Sequence, residues 1–160
     1  TVFFAKNKIK VEALDYSPTA IKIIKKKAKD NNFSKLVSTK HFDVRNKLPY
    51  KDNSIKGIFS HMLYCMALTN SEVEKLNNEI LRVLKPGGIN IYTVRNIYDG
   101  DYMKGIHIGE EMYENDGFII NFFSEKKVNG LLNGFKNLSK TNFEEGSFPR
   151  KLFLIQNKKI

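Results

Sequence analysis

The stretch Val11-Glu12-Ala13-Leu14-Asp15-Tyr16-Ser17-Pro18 constrains the fold of this chain more than any other. Its apolar residues read as a short strand that delivers a carboxylate, Asp15, at its carboxyl end. Ser17 then stands as a helix N-cap and Pro18 at the first helical position, where no backbone N–H is needed. Strand, acid, cap and helix in that order begin a βα unit, and the carboxyl end of such a strand faces the ligand crevice of a parallel sheet. A carboxylate there can accept hydrogen bonds from both hydroxyls of a ribose. The glycine-rich turn that normally precedes such an acid has no counterpart, because the 14 residues before Asp15 include no glycine. Thr1 to about Lys6 reads as the end of a helix already under way, so the natural start of the domain is expected upstream of Thr1.

The rest of the chain continues an α/β alternation. Ile9–Asp15 reads as a strand and Pro18–Asn31 as an amphipathic helix, with Ile21, Ile24 and Ala28 on one face and Lys22, Lys25, Lys26, Lys27 and Lys29 on the other. Leu36–Phe42 forms a second strand that ends at another acid, Asp43. Ile55–Phe59 forms a third, running into Ser60-His61-Met62-Leu63-Tyr64. Ser71 with Glu74 suggests a capping box, followed by a stripe of Val73, Leu76, Ile80, Leu81 and Leu84 that Pro86-Gly87-Gly88 ends. A strand over Ile89–Val94 leads to Arg95-Asn96, and residues 97–123 read as an irregular loop insertion. A helix capped by Ser124 follows, and then two closing strands, about Phe135–Glu144 and Lys151–Asn157. The short join Glu145-Gly146-Ser147-Phe148-Pro149 makes these antiparallel neighbours. With no repeat and no linker, residues 1–160 read as a single domain.

Composition narrows the class. An apolar content of 41% with 12% aromatics is that of a globular chain with a core. No run of 18 apolar residues and no charged-then-apolar leader occurs, so a soluble, cytoplasmic protein without a membrane partner is expected. The lone Cys65 excludes an internal disulfide and a cysteine-built metal site. Of the formal charge of +10, nine lie in residues 1–51, which carry 13 Lys/Arg against 4 Asp/Glu. The lysine cluster of the first helix is a solvated face or a nucleic-acid surface. The scarcity of arginine and the absence of Lys/aromatic interleaving favour the former.

Four segments, in order and at compatible separations, resemble the class I S-adenosylmethionine-dependent methyltransferases: Leu14-Asp15-Tyr16-Ser17, Phe42-Asp43-Val44, Leu48-Pro49-Tyr50 with Asp52-Asn53-Ser54, and Glu79-Ile80-Leu81-Arg82-Val83-Leu84-Lys85-Pro86-Gly87-Gly88-Ile89-Asn90-Ile91-Tyr92. The resemblance covers nearly the whole chain. It implies an α/β, Rossmann-like, mostly parallel sheet with helices on both faces and strand order 3-2-1-4-5-7-6, the last strand antiparallel. The chain departs from that pattern by lacking the first strand and its glycine-rich loop.

The same resemblance implies S-adenosylmethionine as cofactor. Asp15 would hold the ribose hydroxyls, Tyr16 would lie against the adenine, and Asp43 with the Val44 backbone N–H would bind the adenine edge. Ser60 would touch the methionine part. His61 and His107 are the candidate bases, needed only where the methyl acceptor carries a proton that must leave. Tyr64, Arg95, His107 and Tyr113 are the candidate substrate contacts, and 97–123 the candidate substrate lid, with Tyr113, Phe118, Phe122 and Phe123 as an apolar wall. Ser-His-Met-Leu after the third strand differs from the pattern of enzymes that methylate exocyclic amino groups of bases. His107, Glu110 and Glu111 are too few ligands for a metal site, and none is expected. The expected activity is methyl transfer to a small molecule. A non-catalytic cofactor-binding or interaction module is one alternative, and an RNA methyltransferase that uses the basic first third is another. The sequence assigns no oligomeric state.

Overall fold

The computed structural model describes residues 1–146 and 149–160; Ser147 and Phe148 of the predicted join lie outside the described residues. Two compact units divide the chain, residues 1–46 and 47–160. In the first, α1 (Val2–Lys6) is followed by β1 (Val11–Asp15), α2 (Pro18–Asp30) and β2 (Val37–His41). β1 and β2 pair in parallel, Val11 opposite Val37 and Asp15 opposite His41. A parallel pair needs a crossover, and α2 supplies it. Ser17 caps α2 as its position predicted, its hydroxyl accepting the Ala20 N–H at 3.2 Å. The helix buries Ile21 and Ala28, and its five lysines are exposed.

The second unit contains β3 (Ile55–His61), α3 (Asn70–Val83), β4 (Leu84–Arg95), β5 (Ile106–Gly109), β6 (Met112–Asn115), β7 (Phe118–Asn121), α4 (Glu125–Gly130), β8 (Phe135–Glu145) and β9 (Arg150–Lys159). Four of these strands form a sheet in the order β3-β4-β9-β8, with β3 parallel to β4 and β9 antiparallel to both of its neighbours. The antiparallel last strand is thus as expected. β3, β4 and β8 run in one direction and β9 against them, so the sheet is mixed in its pairing and mostly parallel in strand direction, as the resemblance implies. Its core holds Val73, Leu76, Ile80 and Val83 of α3, Tyr92 and Val94 of β4, Phe153 and Ile155 of β9, and Phe122, Phe123, Val128 and Leu131, with Asn77, Asn90, Asn121 and Asn157 buried as well.

Three local predictions change. The capping box of α3 is Thr69 with Glu72, two residues earlier than Ser71 with Glu74: the Thr69 hydroxyl accepts the Glu72 N–H at 3.3 Å, and Glu72 accepts the Thr69 N–H at 2.8 Å. Lys85-Pro86-Gly87-Gly88 does not separate helix from strand but sits within β4 as a bulge, the register passing from Ile55 opposite Leu84 to Gly57 opposite Ile89. Gly87 has φ +75°, and a Cβ on Gly88 would lie 2.8 Å from the Lys85 carbonyl oxygen, so both positions require glycine.

The third change is the largest. Residues 106–121 are not irregular but an antiparallel meander, β5-β6-β7. Asp116 and Gly117 join β6 to β7 with both φ angles positive, +48° and +80°, the two-residue hairpin turn that an Asp-Gly pair favours.

Candidate active site

In the first unit the candidates cluster at the carboxyl ends of β1 and β2, where the peptide planes leave unpaired groups pointing out of the sheet. Asp15 Oδ1 accepts the Ser17 N–H at 2.8 Å, which fixes the carboxylate at the head of α2. No partner of Oδ2 lies among the described residues. Tyr16, 64% exposed, lies beside the His41 ring, centroids 5.8 Å apart and tilted by 31°. His41 Nε2 is 2.7 Å from the Tyr16 carbonyl oxygen and so carries a proton to donate to it. His41 is thereby held beside the exposed Tyr16 ring at the strand end.

Asp43 is engaged differently. Arg45 grips both of its carboxylate oxygens, through Nε at 3.0 and 3.1 Å and a terminal nitrogen at 2.7 Å, and the Arg45 backbone N–H donates to Oδ1 at 3.0 Å. The side-chain bond from Arg45, helped by the backbone bond, holds the Asp43 carboxyl below the usual carboxylate range. No acceptor of the Val44 N–H lies among the described residues. The set fits an adenosine group at its ribose end, where Asp15 Oδ2 is open and the Tyr16 ring is exposed. At the amino end of the base, Arg45 already competes for Asp43.

In the second unit β3 delivers Ser60 and His61. Ser60 is buried, and its hydroxyl has no partner among the described residues. His61 Nδ1 lies 2.9 Å from the Thr93 hydroxyl and Nε2 lies 3.2 Å from Glu145 Oε2. Met62 follows with φ +52°, turning the chain sharply at the strand end, and its N–H donates to the Thr93 hydroxyl at 3.0 Å. Glu145 and Thr93 carry no motif: the β3–β4 register sets Thr93 opposite His61, and the β8–β9 register brings Glu145 to the end of β3.

Tyr64, Arg95 and Cys65 are placed away from open surface. Tyr64, expected to meet substrate, is fully buried; it packs on Tyr92 with centroids 4.6 Å apart and donates to Asn77 Oδ1 at 3.3 Å. Arg95, expected likewise, is buried, with its guanidinium on Asp99 and Asp101 and over the Phe122 ring. Both corrections have one cause: these residues sit in or beside β4, the strand most enclosed by its neighbours. Cys65 is buried and donates to the Met62 carbonyl at 3.2 Å, and burial raises its thiol pKa, so it is a core residue without nucleophilic character.

His107 and Tyr113 do meet, across β5 and β6, with ring centroids 4.9 Å apart. His107 is exposed, and its Nε2 is 2.9 Å from the Glu110 carbonyl oxygen. Of the predicted apolar wall, Phe122 and Phe123 are core, while Phe118 is 72% exposed at the turn. The meander is anchored from below: Lys127 bonds Glu111 at 3.2 Å, the Phe122 carbonyl at 3.3 Å and Asn121 Oδ1, and lies over the Phe123 ring. Burial lowers the Lys127 pKa, though Glu111 offsets part of this. No group of metal-ligating side chains occurs among the described residues, and no described helix is long and apolar enough to cross a membrane.

A family model described as a methyltransferase domain matches residues 1–92. No curated protein sequence matches the chain. Among solved structures, a SAM-dependent methyltransferase from Methanosarcina mazei superposes with a TM-score of 0.84 at 19% identity, covering 99% of this chain and 86% of that one. The 1,6-didemethyltoxoflavin-N1-methyltransferase of Burkholderia thailandensis, solved with 1,6-didemethyltoxoflavin and S-adenosylhomocysteine, gives 0.75 at 13% identity, covering 99% and 64%. The [4+2]-cyclase SpnF gives 0.71 at 16% identity, covering 99% and 69%. At these identities the structures share a fold, and a fold carries more than one reaction.

Proposed function

This chain belongs to the methyltransferase-domain family, and from that premise we propose that it moves the methyl group of S-adenosylmethionine to a small-molecule acceptor by in-line displacement. The observation that carries the reading is Asp15: a carboxylate at the end of β1, one oxygen locked by the Ser17 N–H and the other open. That arrangement presents a fixed acceptor to a ribose diol. Tyr16 supplies an exposed ring for the base to lie on, and the Val44 N–H is a donor for a ring nitrogen.

S-adenosylmethionine supplies an activated methyl on a sulfonium, whose sulfur leaves as a neutral thioether. The protein's share is therefore to align the acceptor and exclude water rather than to activate a leaving group. The small-molecule acceptor is supported by the 97–123 segment, which we assign as cover for the acceptor: its residues 106–121 form a meander carrying exposed Ile106, Ile108 and Phe118 and the His107–Tyr113 pair. The Burkholderia structure, solved with 1,6-didemethyltoxoflavin, offers a precedent on this fold.

Calorimetry with S-adenosylmethionine and S-adenosylhomocysteine tests the reading. Saturable binding of both is expected, and methyl transfer from labelled donor into a panel of small acceptors. No binding by the wild-type chain under conditions where it is folded overturns it.

A further inference from the structure

We propose that Glu145 is the proton acceptor for the methylated group and that His61 is its positioning residue, locked by Thr93 into one tautomer, so that the acceptor is a compound whose attacking nitrogen or oxygen carries a hydrogen. This rests on the methyltransferase reading above.

The tautomer follows from hydrogen counting. An ionised Glu145 carboxylate only accepts, so the hydrogen of the contact stands on His61 Nε2 and a neutral ring leaves Nδ1 bare, while the Thr93 hydroxyl, which shares the Met62 N–H with its own backbone carbonyl, has a hydrogen to give. The atom in reach is His61 Nδ1 at 2.9 Å. Nδ1 is then the bare nitrogen and Nε2 carries the proton, and it points at Glu145 Oε2, 3.2 Å away. Every group of the chain is matched, donor to acceptor. The far end is not closed: no partner of Glu145 Oε1 lies among the described residues.

The contact is assembled across the sheet and not by sequence neighbours. β3 and β8 are the two edge strands, with β4 and β9 between them. β4 pairs with β9 only as far as Arg95 opposite Leu152, whereas β8 and β9 continue to Glu145 opposite Arg150. The hairpin thus overhangs the end where β3 and β4 finish, and the overhang brings a carboxylate to His61. Stability gives little reason for it, since both side chains are about two-fifths exposed, 39% and 41%, and exposed pairs contribute little to folding. The positive φ of Met62, next to His61, is a further local cost that an ordinary strand end does not carry.

A carboxylate suffices as proton acceptor for the step. As the acceptor's lone pair forms the bond to the methyl carbon, the carbon–sulfur bond breaks and its electron pair stays on sulfur. Positive charge grows on the attacking nitrogen or oxygen, its hydrogen becomes strongly acidic, and the proton passes to Glu145 Oε1. A substrate without such a hydrogen gains nothing from the pair.

Three measurements on the full chain test this. Nitrogen-15 imidazole spectra in the absence of ligand are expected to show His61 as the Nε2–H tautomer, retained in Thr93→Ser and lost in Thr93→Val. Calorimetry gives S-adenosylmethionine affinity within about threefold of wild type for Glu145→Gln and His61→Gln. With labelled S-adenosylmethionine and a panel of phenols, anilines and their O-methyl and N,N-dimethyl counterparts, transfer goes to the former alone. There Glu145→Gln lowers kcat by about 100-fold or more and His61→Gln by about tenfold. An Nδ1–H tautomer, full activity in Glu145→Gln, equal transfer to acceptors without N–H or O–H, or no transfer by a chain that binds the donor each overturns the proposal. Failure to bind the donor at all overturns instead the reading on which it rests.

Discussion

Asp99 Oδ2 accepts both the Arg95 Nε–H at 3.1 Å and the backbone N–H of Lys151 at 2.8 Å, so one buried carboxylate ties the end of β4 to the start of β9. Its second oxygen takes another Arg95 nitrogen and the Asp101 N–H at 2.9 Å. Removing a partner from a buried pair leaves a desolvated charge, which costs far more than the pair contributes. Asp99→Ala is therefore expected to lower stability by about 3 kcal/mol. Asp101→Ala, which removes a half-exposed partner from the same arginine, should lower it by no more than about 1 kcal/mol. Urea midpoints of the two variants check the contrast.

The same residue sets part of the acid limit. Burial pushes the Asp99 carboxyl up, but the bonds from Arg95 and from the Asp101 and Lys151 N–H groups outweigh it and hold it below its ordinary value. The Arg82 side chain likewise holds Glu79 down, helped by the Leu48 N–H. A carboxyl depressed in the folded state binds its proton more readily when unfolded. Its contribution is full above about pH 4.5 and disappears as pH falls through the lower folded value. Stability should fall steeply below about pH 4.5, and Asp99→Asn should flatten that slope without moving the neutral plateau's pH dependence. Denaturant midpoints measured across this range decide it.

Much of this architecture was legible in the sequence because local chemistry sufficed. Ser17-Pro18 and Ser124 are caps whose bonds lie within three residues, and the β8–β9 hairpin follows from two alternating runs and a short join. What depends on register was not legible. Tyr64 and Arg95 look like site residues by position, yet the enclosure of β4 puts both inside. Glu145 reaches His61 only because β8 and β9 pair beyond the end of β4. The meander was a missed signal: Asp116-Gly117 between Met112–Asn115 and Phe118–Asn121 is a hairpin turn that composition alone had made look like a loop.

Gly105 tests that meander. Its φ is +78°, and a Cβ there would stand 1.9 Å from the Glu114 carbonyl oxygen of the facing strand. Backbone on backbone has no flexible end to move aside, so Gly105→Ala must push β5 off β6. Loss of amide protection in β6 and β7 is expected, with α3 and β4 unchanged. Hydrogen exchange resolved by residue measures this, and uniform loss across the second unit would show that the meander is no separate element.

Tyr64 and Tyr92 give a spectroscopic test of the core. Burial drives both phenols above their ordinary value, Tyr64 further through its contact with Tyr92. Raised folded values mean that their contribution is intact below about pH 10 and lost only as pH climbs through the folded values. Neither should ionise before the chain unfolds in alkali. Tyr64→Phe and Tyr92→Phe are then expected to leave the ultraviolet phenolate titration of the folded protein unchanged, which a titration of each variant against wild type checks.

Asp15 and Asp43 separate the two ends of the adenosine group. Asp15 offers a free oxygen on a fixed carboxylate, so a ribose hydroxyl gains a charge-assisted hydrogen bond with nothing to displace. Asp15→Ala should weaken S-adenosylmethionine binding by about 1.5–3 kcal/mol, roughly 10- to 150-fold. Asp43 must first share or release Arg45, which grips it through three side-chain contacts and a backbone N–H. Part of what an adenine amino group would contribute is already satisfied in the free protein, so Asp43→Ala should lose less than Asp15→Ala. Calorimetry on the two variants, with circular dichroism to confirm folding, orders them. The reverse order would place the recognition at the base rather than at the ribose.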